Sequence, residues 1–188
     1  MKQAHPAAAM EVWAQDEHRV GLLTVLRRVW ARRAQRPRAE AQHRYVWTYV
    51  YGFVEPATGR TWWLLLPHVN TAMFSLALAA FAAAQGLGPR KRIVLLLDGA
   101  GWHTSGHLVV PEGLHLVFQP AYSPELQPSE RLWPLCNEAL ANQAFADLRA
   151  LEDRLAARCR ALDEQPELIR GTTLYHWWPV RGLASQPS

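Results

Sequence analysis

Cysteine is scarce in this chain: Cys136 and Cys159 are the two examples in 188 residues. They stand far apart in segments that read as helical, so they offer neither a disulfide framework nor the close ligand spacing of a zinc site. Long hydrophobic runs are also missing. The longest, around Ala72 to Ala84, is alanine-rich, is interrupted by Ser75, and reads as a buried helix rather than a membrane span. No basic and apolar leader opens the chain, and this with the free thiols points to a reducing, cytoplasmic setting and no membrane partner. Glycine is too sparse after Gly99 and Gly101 for a dinucleotide fingerprint, which needs a third glycine and a helix start. No repeat or long linker divides the sequence, and its length suits one core, so residues 1–188 are expected to form a single domain.

The composition is that of a globular protein, 49% apolar and 19% charged, and the net charge of +4 has a local source. Arg27, Arg28, Arg32, Arg33, Arg36 and Arg38 fall in "RRVWARRAQRPR" with no acid among them, and removing these six charges from +4 leaves −2. Such a block is either a solvated loop or a phosphate-binding patch, because guanidinium forks match phosphate oxygens.

An order of elements follows from periodicity and turn chemistry. "EVWAQDEHRVGLL" and "RYVWTYVYGFV" read as strands, "EPATGR" as a turn, and "TWWLLLP" as the returning strand of an antiparallel meander. Asn70 or Thr71 caps a helix running to about Gln85, with Gly86 in the terminating position. "RKRIVLLLD" suits a strand buried on both faces, "LHLVFQP" a shorter strand, and "SPELQPSERLWPLCNEALAN" opens a helical region. The last long helix, near Phe145 to Leu162, carries Leu148, Leu151, Leu155, Cys159 and Leu162 on one stripe. The result is an α/β layer fold.

Three acids stand out in this frame. Asp98 ends a buried strand, where open α/β sheets place their ligand crevices; the alternative is a loop-capping aspartate serving the amides of Gly99 to Gly101. Asp16 sits inside an apolar and aromatic strand, a costly position unless the charge is used or paired. Glu130 falls in the first helical turn if Pro128 is its first residue, and the helix dipole would then favour the ionised form. Three carboxylates converging on one sheet edge would repel one another, and divalent cations with a preference for oxygen, such as Mg²⁺, would relieve that repulsion. His103 and His107 are four apart, but the intervening Thr104, Ser105 and Gly106 argue against a helix there and so against a zinc pair.

From about Glu11 to Trp178 the segments "QDEHRVGL", "LLLDGAGWHTSGHLVVPEGLHLVFQPAYSPELQPSERLW" and "LEDRLAARCRAL" resemble, in order, the catalytic domain of insertion sequence 630 type transposases, members of the mariner superfamily of DDE endonucleases. The resemblance implies an RNase H-like fold, with a mixed central sheet of three antiparallel strands followed by parallel ones, flanked by helices. It also implies a triad of Asp16, Asp98 and Glu130 holding two Mg²⁺ or Mn²⁺ ions, with Asp98 and Asp16 bridging and Glu130 on the second ion. One ion would activate water and then a DNA 3′-hydroxyl for strand cleavage and transfer, and the other would stabilise the leaving oxygen. Glu17 is expected as a surface or supporting acid. His103 could orient a ligand or meet phosphate, and Trp102 and Tyr122 belong either to the core or to a base-stacking surface.

Further implications concern partners. The family acts on transposon ends and target DNA, as a homodimer on DNA, in the cytoplasm at the nucleoid. Its helix-turn-helix module is expected to be absent here, since 15 residues precede Asp16; the missing half would be lost or separately encoded. Gln127, Ala121 and Ser129 depart from the family pattern. Pro134 departs most: in a helix continuing from Glu130 it removes a hydrogen bond to the Glu130 carbonyl, which predicts a kink and impaired activity. A non-catalytic DNA-binding remnant or another RNase H-like nuclease are the alternative readings.

Overall fold

The computed structural model describes residues 8–34, 38–120 and 123–179. A five-stranded sheet forms the centre. Its strands are β1 (Ala9–Leu23), β2 (His43–Glu55), β3 (Arg60–Leu66), β4 (Lys91–Leu97) and β5 (Leu114–Phe118), ordered β3-β2-β1-β4-β5. β1, β2 and β3 pair antiparallel, and β4 and β5 add in parallel to β1. The expected mixed sheet is therefore present, with β1 rather than β4 as its middle strand.

Period-two alternation divides the sheet's side chains between two cores. Trp13, Tyr51, Phe53, Ile93, Leu95 and Leu97 face α1 (Thr71–Gln85), which contributes Phe74, Leu78 and Phe81. Ala14, Val50 and Val54 face the opposite layer, built from α2 (Leu132–Asn137), α3 (Leu148–Asp163) and α4 (Pro166–Thr173). α1 begins where Asn70 accepts a hydrogen bond from the Met73 amide and ends at Gly86, whose φ of 63° is the left-handed conformation glycine takes without strain. α3 buries Leu151, Leu155, Cys159 and Leu162, four of the five residues of the expected stripe. Cys136 and Cys159 share that core as free thiols.

One expectation is overturned. The helix does not run through Glu130 and Pro134. Pro124–Leu126 and Pro128–Arg131 form two 3₁₀ turns, and α2 starts afresh at Leu132. Pro134 is thus the third residue of a new helix, where its missing N–H is one of the first-turn donors that have no partner within a helix anyway. The proline marks a helix beginning and kinks nothing at Glu130.

Candidate active site

Asp16 lies on β1, Asp98 follows the last residue of the adjacent β4, and Glu130 stands in the second 3₁₀ turn. Gln127 ties that turn to the sheet: its buried side-chain amide donates to the Gln15 carbonyl at 3.0 Å, next to Asp16 in the chain. The departure at position 127 is thereby a buried brace between β1 and the glutamate's turn. Just beyond, Trp133 of α2 donates from Nε1 to Asp16 Oδ2 at 2.8 Å. Gly52, the β2 partner of Asp16, makes room for it; a Cβ there would stand 2.7 Å from the Trp133 ring. His18, on the same face as Asp16, stacks on Trp133 with ring centroids 5.0 Å apart.

Asp98 is the electrostatic centre of the three. Its charge raises the pKa of both Asp16 and Glu130, so the structure brings the acids within each other's field. Asp16 is pushed up to about 7, first by burial and then by the charges of Glu17 and Asp98, against the opposing Trp133 hydrogen bond. Glu130 is also raised, by burial and then by Asp98 and Glu125. Asp98 moves the other way, held low by the His103 hydrogen bond despite partial burial.

His103 is buried between two carboxylates: Nδ1 lies 2.7 Å from Asp98 Oδ1 and Nε2 3.0 Å from Glu17 Oε1. Burial alone would lower its pKa, but the hydrogen bonds to Asp98 and Glu17 outweigh it and lift the value to about 9. With a carboxylate oxygen facing each ring nitrogen, the doubly protonated imidazolium is the favoured form. Trp102 Nε1 lies 3.0 Å from the same Nε2, yet a nitrogen that donates to a carboxylate cannot also accept from an indole. His103 therefore meets acids, and the phosphate contact considered for it is not its place in this structure. Asp98 Oδ1 also accepts from the Ala100 amide at 3.1 Å, so the side chain caps the loop while the same oxygen faces His103. Glu17, expected at the surface or in support, is buried on the face opposite Asp16, and the signal that could have found it is strand alternation beside a turn histidine.

Among the described residues no three acid, histidine or cysteine side chains are already gathered at metal-ligand spacing. The donor chemistry nonetheless fits a hard divalent cation: three carboxylates, two of them accessible to solvent at Asp98 and Glu130, whose mutual repulsion a cation would remove.

The arginine segment divides. Arg27 is anchored, donating to the Pro134 carbonyl at 2.7 Å and standing 3.9 Å from Glu138. Arg28, Arg32, Arg33 and Arg38 are exposed, and Arg36 and Tyr122 lie outside the described residues. Arg27, Arg28 and Arg38 line an open groove of about 740 Å³ with Leu26, Val29 and Asn142.

Residues 11–152, which contain all three acids, match the model of the DDE superfamily endonuclease family. The chain belongs to that family. It is 34% identical over 133 residues to an uncharacterized protein, y4pE/y4sA, of Sinorhizobium fredii, covering 70% of this chain and 97% of that one. Its fold is that of the mariner catalytic core. A pre-cleavage Mos1 transpososome superposes with a TM-score of 0.57 at 18% identity, covering 88% of this chain and 56% of the Mos1 chain. The Mos1 mariner paired end complex with Mn gives 0.55 at 17% identity, covering 87% and 55%. This chain thus spans about 55% of the length of the Mos1 chains it matches. Among the described residues no helix is long and apolar enough to cross a membrane.

Proposed function

We propose that this DDE endonuclease domain performs divalent-metal-dependent DNA strand cleavage and strand transfer in transposition, with Asp16, Asp98 and Glu130 as the metal-holding set. The observation that carries the reading is the placement of all three acids inside the DDE superfamily endonuclease match, with Asp16 and Asp98 on or just past adjacent parallel strands and the Glu130 turn braced to β1 by Gln127. Mg²⁺ or Mn²⁺, two ions in the proposed arrangement, would supply Lewis-acid polarisation and a nucleophile at neutral pH. Asp98 offers an ionised oxygen at the sheet edge. Asp16 would hold a cation as the ionised carboxylate, and the brace from Gln127 to β1 keeps the Glu130 turn beside the sheet. Trp133 limits how Asp16 can rotate.

DNA is the proposed partner. Arg28, Arg32, Arg33, Arg36 and Arg38 would neutralise phosphates, while Arg27 secures the base of the segment. Seven residues of strand from Asp16 to Leu23, at about 3.3 Å each, put this segment roughly 20 Å along the sheet from the carboxylates. The Mos1 complexes are assemblies on transposon ends; a dimer on DNA and a separately supplied end-recognition module are proposals for this chain. The arginines carry no base readout of their own, so binding should be similar for element-end and scrambled duplexes and fall steeply with salt.

The test is cleavage of supercoiled plasmid by wild type and Asp98→Asn with Mg²⁺ and with Mn²⁺. Loss of cleavage by at least about a thousandfold in a folded Asp98→Asn protein is expected, because the change removes a ligand charge while keeping shape. Equal nicking by the two proteins refutes the triad, and DNA binding with no nicking by either favours a non-catalytic remnant.

A further inference from the structure

We infer that Glu17 and His103 are positioning residues that lock the Asp98 carboxylate, engaging Oδ1 so that Oδ2 is the oxygen presented to metal; this rests on the reading of Asp98 as a metal ligand. Alternation along β1 sends Glu17 to the α1 side of the sheet, away from Asp16. A charged side chain there should reach for solvent, yet it is only 5% exposed. The acid is held by two donors on one oxygen, His103 Nε2 at 3.0 Å and Gln15 Nε2 at 3.1 Å.

His103 is fixed from several directions. Its backbone amide donates to the Ala100 carbonyl at 2.9 Å, its ring packs 4.2 Å from that of Phe74 on α1, and its side chain has no solvent exposure. Nδ1 then reaches Asp98 Oδ1 at 2.7 Å, where the Ala100 amide also donates. Among the described residues no hydrogen bond reaches Asp98 Oδ2, and the side chain is 42% exposed. An aspartate left to itself turns freely about its carboxylate bond and offers either oxygen. Here one oxygen is occupied twice and the rotation is stopped, with a second carboxylate behind the histidine fixing the ring. Such outer partners commonly change metal affinity by about 10–100-fold when removed.

A plain core ion pair would stabilise the fold without governing Asp98, and the experiment separates the two roles. Wild type, Glu17→Ala and Glu17→Gln are compared as whole chains after melting confirms that each folds cooperatively. In metal-free protein, NMR reads the His103 imidazole N–H protons and the Asp98 carboxylate carbon; calorimetry then reads Mn²⁺ affinity without DNA. Glu17→Ala should lose the protected imidazole signals, shift the Asp98 carbon and bind Mn²⁺ about 10–100-fold more weakly. Glu17→Gln keeps an oxygen that accepts from Nε2 and should recover to within about threefold of wild type.

Unchanged His103 and Asp98 signals in Glu17→Ala overturn the inference, as does Mn²⁺ affinity within about twofold of wild type. If Glu17→Ala does not fold, His103→Gln, which can donate toward Asp98 but cannot bridge to Glu17, must show the same loss of affinity; wild-type affinity there overturns it. A wild-type chain that binds no Mn²⁺ while Glu17→Ala still releases Asp98 refutes the metal-dependent function and supports the hold on Asp98.

Discussion

Two acids five residues apart on β1 meet opposite fates. Glu11 is buried, accepts from Trp13 Nε1 at 3.0 Å, and stands 2.6 Å from Arg60 and 3.4 Å from Lys91; Arg60 also reaches Glu55 at 2.8 Å. Asp16 likewise accepts an indole N–H, from Trp133, but its charged neighbours are Glu17 and Asp98. Burial pushes both upward. At Glu11 the Trp13 hydrogen bond and the Arg60 and Lys91 charges outweigh it, and the pKa ends below the ordinary value. At Asp16 it stays near 7. An indole donor alone does not keep a buried carboxylate ionised; a cation does. The Glu11 cluster is electrically complete and belongs to the scaffold, whereas the Asp16 end carries negative charge that a bound cation would complete.

Breaking the complete cluster should have the largest effect. Arg60→Ala leaves Glu11 and Glu55 buried together and should cost about 2–3 kcal/mol, below the value for a fully buried pair because the guanidinium is partly exposed. Chemical denaturation measures it. A loss below about 0.5 kcal/mol would mean that Lys91 and solvent already satisfy the acids.

The incomplete end should respond with the opposite sign. The folded pKa of Asp16, about 7, lies above its ordinary 3.8, so its neutral-form stability is fully present below pH 3.8 and is lost as pH rises through 7. Asp16→Asn should therefore stabilise the metal-free protein at pH 8, by a Tm rise on the order of 5 °C, and do little at pH 4. Measurements should stop near pH 8, because His103, raised from 6.5 to about 9, contributes stability that is complete below 6.5 and is itself lost as pH rises through 9. A pH-independent gain would show that the effect is packing rather than charge.

Adding a cation sharpens the same contrast. If metal displaces the Asp16 proton, Mn²⁺ binding at pH 6 should release close to one proton per chain from this group and at pH 8 far less, as read by calorimetry in buffers of different ionisation enthalpy. Equal release at both pH values would remove Asp16 from the metal-holding set.

The smallest effect belongs to Pro134. At the third position of α2 it fits the backbone and restrains the unfolded chain, so Pro134→Ala should lose between nothing and about 1 kcal/mol. A clear gain in melting temperature would restore the reading of a strained helix.

Much of the frame was legible from local chemistry. The alternation of β1 and β2, the Asn70 cap, Gly86 and the apolar run of β4 each name their own conformation, because period and capping act over a few residues. After Ser123 local chemistry names the two helical starts, Ser123 before Pro124 and Gln127 before Pro128 with Glu130 in the first turn, but not the change from 3₁₀ turns to an α-helix at Leu132, because Pro128 and Pro134 are compatible with one kinked helix or with several short turns and the choice depends on what packs against Trp133 and Gln127. Asp98 could be read from its place after β4, and the cap at the Ala100 amide, one of the two alternatives there, leaves its second oxygen available for the proposed site role.

The residues of this chain determined by themselves the strand order along the sequence, the capped helix, the three candidate acids and the family pattern that links them. Tertiary structure decided which acids are charged and which residues hold them. Glu17 meets His103 across 86 positions, Trp133 meets Asp16 across 117, and Arg27 reaches Pro134 across 107. Alternation assigns a side chain to a face of the sheet, but whether that face is covered, and by a cation, an indole or a second carboxylate, depends on distant segments. The desolvation and Coulomb fields that set a carboxylate's proton affinity come from those neighbours.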